Sequence, residues 1–160
     1  MNTISDVTAG LARADDGPNR FRRHDLAADA FTAGQARTEF KLWLQLYFAL
    51  SVARRGDLLL AMNEAMANAA EHAYFGTPDR GTVDVEACYD VACHILTLTI
   101  VDRGHWLGPA LDKQRDSSLN RLRGRGIQLM RALADSTSID STPDGTHVTL
   151  TWDELYPLGA

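Results

Sequence analysis

The sequence predicts an α+β protein: a two-layer α/β sandwich in which a mixed, mostly antiparallel sheet packs against helices. Apolar residues recur at three- and four-residue steps early in the chain, then switch to two-residue alternation after Pro78. One further helical stretch and a strand pair follow, the order expected of helices layered on a sheet. With 160 residues, 45 % of them hydrophobic and 23 % charged, the chain suits one domain with a sizeable core.

Residues 1–20 hold no sustained apolar period and end in Asp15-Asp16-Gly17-Pro18-Asn19, a cluster of turn formers. They are expected to form a mobile tail ahead of a domain over 21–153, with 154–160 as a second tail. Phe21 to Leu26 reads as an edge strand. Ala36, Phe40, Trp43, Leu44 and Tyr47 mark a first amphipathic helix, about 34–50. Arg54-Arg55-Gly56 interrupts the pattern, so Asp57 is the expected cap of a second helix over 57–75. Its apolar stripe is Leu59, Met62, Met66, Ala69, Ala70 and Ala73, and Gly76 and Pro78 stop it.

Thr82, Val83, Val85, Ala87 and Tyr89 alternate, as does the run 94–101, which predicts a hairpin with Asp102 at the end of its second strand. A polar loop then runs to Gly124. Ile127, Leu129, Met130 and Leu133 predict a helix starting at Gly126. Thr137, Ile139 and Ser141 suggest a strand, Pro143-Asp144-Gly145 a turn, and 146–152 the last strand.

A net charge of -5 speaks against a broad DNA-binding or anionic-membrane surface, although Lys and Arg are dense between Lys113 and Arg131. No apolar run approaches membrane-spanning length and the first residues lack signal-peptide features, so the chain is expected in the cytoplasm. Cys88 and Cys93 are expected to be reduced there, and with His94 they lack the further ligands of a closed zinc site.

Glu64, Asn68 and His72 follow at i, i+4 and i+8 and share one helix side, offering a proton acceptor, an oxygen ligand for a hard cation and an imidazole. A solvated polar face produces the same pattern. Asp102-Arg103-Gly104 puts a carboxylate where a strand enters a loop, and Gly104 would let a flat ring approach the backbone; a plain turn reads identically. Gly124-Arg125-Gly126-Ile127 is expected at a helix start, where free N–H groups receive phosphate oxygens, with Arg121 and Arg123 adding cationic charge. Asp144-Gly145-Thr146 reads as a hairpin turn.

In order, these segments resemble the GHKL ATPase superfamily, whose domains have the Bergerat ATP-binding fold. Within it they resemble the anti-sigma-factor serine/threonine-protein kinases of bacterial partner-switching systems. NEAMANAAEHAY is similar to the N box, DRG to the G1 box, GRGIQLMRALAD to the G2 box and DGTHVTLTW to the closing segment. The resemblance implies a kinase that binds ATP and Mg²⁺. Glu64 would be general base, Asn68 the metal-holding amide, and Asp102 the reader of the adenine amine with Gly104 beneath the ring. Gly124, Gly126 and Ile127 would lie at the phosphates, and Thr146 would lie near adenine. Apart from the resemblance, charge and location make Arg121, Arg123 or Arg125 candidates to reach the γ-phosphate from a closing lid.

It further implies a homodimer acting in transcription regulation and stress response. Its partners would be a sigma factor and a STAS-domain anti-sigma-factor antagonist, with no direct DNA binding and no membrane. Two departures stand out. His105-Trp106 follows the G1 box where a second glycine is common, and the lid over 107–123 is short. The first leaves open a nucleotide-regulated partner-binding module with little or no kinase activity. A catalytic module detached from a histidine kinase would instead need transfer to a histidine elsewhere.

Overall fold

The computed structural model describes residues 16–73, 81–104 and 117–160, without the side chains of 72, 73 and 117–123. Strand β1 (Arg20–Ala27) leads into helix α1 (Ala30–Tyr47) and helix α2 (Val52–Asn68), which continues as a π-helix over Ala69–Ala73. Strands β2 (Thr82–Asp90) and β3 (Ile95–Asp102) follow, then helix α3 (Ser117–Leu133) and strands β4 (Ser136–Thr142) and β5 (Gly145–Trp152). The five strands form one sheet in the order β1-β2-β3-β5-β4, and every pairing among the described residues is antiparallel.

One face of this sheet is covered by the helices. Val83, Val85, Ala87 and Tyr89 of β2, Leu96, Leu98 and Ile100 of β3, and Val148, Leu150 and Trp152 of β5 alternate inward. They meet Phe40, Trp43 and Leu44 of α1, Leu58, Ala61, Met62, Ala65 and Met66 of α2, and Met130 of α3. The fold is the predicted α+β sandwich.

Several boundaries differ from the sequence reading. Helix α1 starts four residues earlier than expected because the Asp29 carboxylate accepts from Thr32 N–H at 2.7 Å, and it stops at Tyr47, where Phe48 turns extended. Helix α2 is capped by Ser51, whose hydroxyl accepts from Arg54 N–H at 3.0 Å, and not by Asp57. Gly56 therefore lies inside the helix, and its buried stripe shifts to Leu58, Ala61, Met62, Ala65, Met66 and Ala69, while Leu59 and Ala70 are half-buried. The expected helix end at 74–76 lies outside the described residues.

The expected tails are partly anchored. Asp16 pairs with the buried Arg23, which also pairs with Glu39, and Trp43 Nε1 donates to the Gly17 carbonyl at 2.9 Å. A buried guanidinium demands such compensation. At the other end Leu155 is in the core, its carbonyl accepts from Tyr89 Oη at 2.7 Å, and Pro157 bridges to Phe48. His94 Nδ1 lies 3.0 Å from the same Tyr89 oxygen. Because the single Tyr89 proton goes to Leu155, that ring nitrogen must be the donor.

Candidate functional site

Asp102 sits where alternation would put another apolar residue after Leu96, Leu98 and Ile100, and it is only 5 % exposed. Its cross-strand partner is Thr146, which continues the inward set of Val148, Leu150 and Trp152. Strand parity thus carries a carboxylate and a hydroxyl into the core face at the end of the sheet. Asp102 Oδ1 accepts from Gly104 N–H at 3.1 Å and Thr146 N–H at 3.3 Å. Burial pushes the Asp102 pKa up, the two amides oppose it, and the net shift is above the ordinary carboxylate value. Among the described residues Thr146 Oγ1 is buried with no hydrogen-bond partner.

Both groups line a small cavity with Ala65, Asn68, Ala69, Ile100, Ile127, Ile139 and Val148. Its volume of about 10 Å³ has room for roughly one water. A flat ring is larger than the space that these described residues enclose. The alanines at 65 and 69 and Ile139 are lining residues that the sequence reading did not single out. Ala69 was visible only as part of an apolar stripe, and the parity of Thr146 with Val148 was the available signal for the strand side.

Glu64 and Asn68 are half-buried, one helical turn apart on α2, and both face Gly126 of α3. A methyl group on Gly126 would lie 3.1 Å from Glu64 Oε2 and 3.4 Å from Asn68 Oδ1. The structure thus brings Glu64, Asn68, Asp102, Gly104, Gly126, Ile127 and Thr146 to one end of the molecule. Gly124 is half-buried and Arg125 is exposed. The side chains of His72, Arg121 and Arg123 lie outside the described residues, as do residues 105–116.

One expectation is corrected. Gly124 to Ile127 do not begin a helix, because α3 runs continuously from Ser117. The run 117–123 contains Leu119, Arg121 and Leu122, all good helix formers, and the helix forms through them. The free N–H groups of a helix start are therefore not at these glycines in this arrangement. Gly145 has a role the turn reading missed. Its φ is +139°, and a Cβ there would fall 1.9 Å from the Asp102 carbonyl oxygen, so only glycine lets β5 close on the Asp102-Arg103 backbone.

A buried carboxylate, an unpartnered hydroxyl and a helix-borne acid and amide thus lie at one end of an antiparallel sandwich. Residues 26–152 match the family model described as histidine kinase-like ATPase domain. The protein belongs to that family, which implies nucleotide binding. Among curated proteins none matches the chain.

The RsbU and RsbW domains of Rv1364c from Mycobacterium tuberculosis share its fold, with a TM-score of 0.62 and 22 % identity over 86 % of this chain and 33 % of that one. The histidine kinase domain of the blue-light activated histidine kinase from Erythrobacter litoralis EL346 aligns with a TM-score of 0.50 and 21 % identity, over 65 % of this chain and 46 % of that one. The chain thus spans a third to less than half of these proteins. Among the described residues no helix is long and apolar enough to cross a membrane.

Proposed function

We propose that the protein is an ATP-dependent serine/threonine-protein kinase and anti-sigma factor, which binds a sigma factor and phosphorylates a STAS-domain antagonist. The observation that carries the nucleotide reading is the Asp102-Thr146 pair: a buried carboxylate and an orphaned hydroxyl at one cavity suit an adenine edge, which offers an amine donor and ring-nitrogen acceptors. The kinase reading adds Glu64, one turn from Asn68 on α2 and within reach of the same end of the sheet.

Asn68 Oδ1 is the group that would hold Mg²⁺, and the ion would supply charge neutralisation across the ATP phosphates. Among the described residues no three His, Cys, Asp or Glu side chains cluster to hold a metal, so most ligands would come from phosphate and water. Glu64 takes the proton of the acceptor serine or threonine hydroxyl as its oxygen bonds to the γ-phosphorus, and the bond to ADP breaks. Arg123 and Arg125 of α3 supply charge toward the phosphates, with Gly124, Gly126 and Ile127 lining their approach. On this reading the protein works in the cytoplasm as a homodimer and touches no DNA itself.

Labelled ATP with a STAS-domain antagonist tests this. Wild type is expected to transfer label to serine or threonine, and Glu64→Gln to lose about 10²- to 10⁴-fold in rate while still binding ATP. Undiminished transfer by that variant removes Glu64 from the mechanism. A second reading, a nucleotide-regulated binding module, is favoured by the departure after Asp102-Arg103-Gly104, where His105-Trp106 follow in place of a second glycine. Binding of ATP and of both partners without any transfer would decide for it.

A further inference from the structure

We infer that the Asp84–Arg103 ion pair is a positioning device for the Asp102-Gly104 loop, tying the purine pocket to the bulge in edge strand β1. The inference rests on reading that pocket as a purine site. Asp102 and Arg103 are consecutive and point to opposite faces of the sheet. The β2–β3 ladder ends at Val83 opposite Asp102, so Arg103 is the first residue beyond it. There the guanidinium takes over from the backbone. Arg103 donates to Thr82 Oγ1 at 3.2 Å and to Asp84 Oδ2, both on β2.

Asp84 is shared between two elements. Its Oδ1 accepts from the Asp25 amide at 2.8 Å, and its Oδ2 also lies 3.6 Å from His24 Nδ1. Asp25 stands where the β1–β2 register shifts between Arg23 and Leu26, with φ at +53°. Arg103 also reaches within 3.9 Å of the Asp25 carboxylate. One carboxylate thus holds the bulge with one oxygen and the purine loop with the other, and its side chain is only 16 % exposed.

On the β5 side the same backbone is gripped by Gly145, whose missing Cβ would meet the Asp102 carbonyl at 1.9 Å and Arg103 Cα at 2.9 Å. The Cα of Arg103 is therefore set from both sides. Any shift of it carries Gly104, whose N–H orients the Asp102 carboxylate. An ion pair this exposed on its Arg103 side adds little to global stability. Its effect falls on the angle at which Asp102 meets a ligand.

The test compares wild type with Asp84→Ala, Arg103→Met and Arg103→Lys by amide hydrogen exchange, thermal melting and ATP titration. Asp84→Ala and Arg103→Met are expected to speed exchange at Gly104 and Thr146 and to weaken ATP binding, each roughly 3- to 30-fold. Melting is expected to be nearly unchanged in Arg103→Met and lowered in Asp84→Ala, which also frees the Asp25 amide. Arg103→Lys is expected to restore part of both. Uniformly faster exchange over β2 and β3 with a lowered melting point and unchanged ATP affinity would mean ordinary stabilisation and overturn the inference, as would unchanged exchange at the two amides. If wild type binds no ATP, the purine reading fails instead. The exchange at Gly104 and Thr146 then decides the anchoring of the loop by itself.

Discussion

Asp102 occupies a core position as a carboxylate, and its neighbourhood is arranged to tolerate this. Its folded pKa lies above the unfolded value, chiefly through burial, so folding favours the protonated form. The stability it contributes is full below the unfolded pKa and is lost as pH rises through the folded one. At neutral pH the charged group is thus a liability. Asp102→Asn is expected to raise stability by about 1 kcal/mol at pH 7, an advantage that shrinks in acid. Thermal melts at both pH values check it, and a lower melting point at pH 7 would contradict the account. Gly145→Ala acts oppositely: overlap with the Asp102 carbonyl and a positive φ should cost roughly 3 kcal/mol or more in urea unfolding. A loss well under that would mean β5 can shift at little cost.

At the scale of the element, α3 is the part whose form and proposed task conflict. A continuous helix through Gly124 and Gly126 satisfies its own N–H groups, whereas phosphate needs free ones. Binding ATP on the proposed reading therefore requires the stretch before Ile127 to unwind or swing. Gly124 has no atom within 4 Å of a built Cβ among the described residues, so Gly124→Ala meets no steric barrier. It should stabilise the helix by roughly 0.5–1 kcal/mol and, by opposing the unwinding, weaken ATP binding about 2- to 5-fold. Calorimetric titration reads this directly; tighter binding would show that α3 stays intact around the nucleotide.

Across the whole molecule, the Arg54 guanidinium, the Asp135 carboxylate and the end of β5 join three elements far apart in sequence. Arg54 Nη2 lies 2.5 Å from Asp135 Oδ2 and 3.3 Å from the Asp153 carbonyl, and the Asp153 amide donates to Asp135 at 2.8 Å. Burial works to raise the Asp135 pKa, but Arg54 and the Asp153 amide outweigh it and the net shift is downward. This contribution is present above the unfolded carboxylate pKa of about 3.9 and is lost as pH falls through the lower folded value. Solvent screening of this half-exposed pair limits it to roughly 0.5 kcal/mol. Asp135→Asn should therefore be slightly less stable than wild type at pH 7 and indistinguishable near pH 2, by urea unfolding at each pH. A gap that persists in acid would assign the loss to packing.

The sequence by itself determined the layers, the two hairpins and most of the residues that meet at the candidate site, but not the pairing of β1 with β2 or of β3 with β5. What it did determine follows from local periodicity: alternation put Val83 to Tyr89 and Leu96 to Ile100 on one face, and i, i+4 spacing put Glu64 and Asn68 on one helix side. Only the tertiary structure decided that Ser51 caps α2, that 154–160 docks through Leu155, that α3 begins seven residues before Gly124, and that Gly145 must admit the Asp102 backbone. The Ser51 cap and the start of α3 are local choices among competing caps and helix formers, whereas the docking of Leu155 and the approach of Gly145 to Asp102 depend on contacts between segments distant in sequence. Closeness of that kind leaves no periodic trace in the residues that produce it.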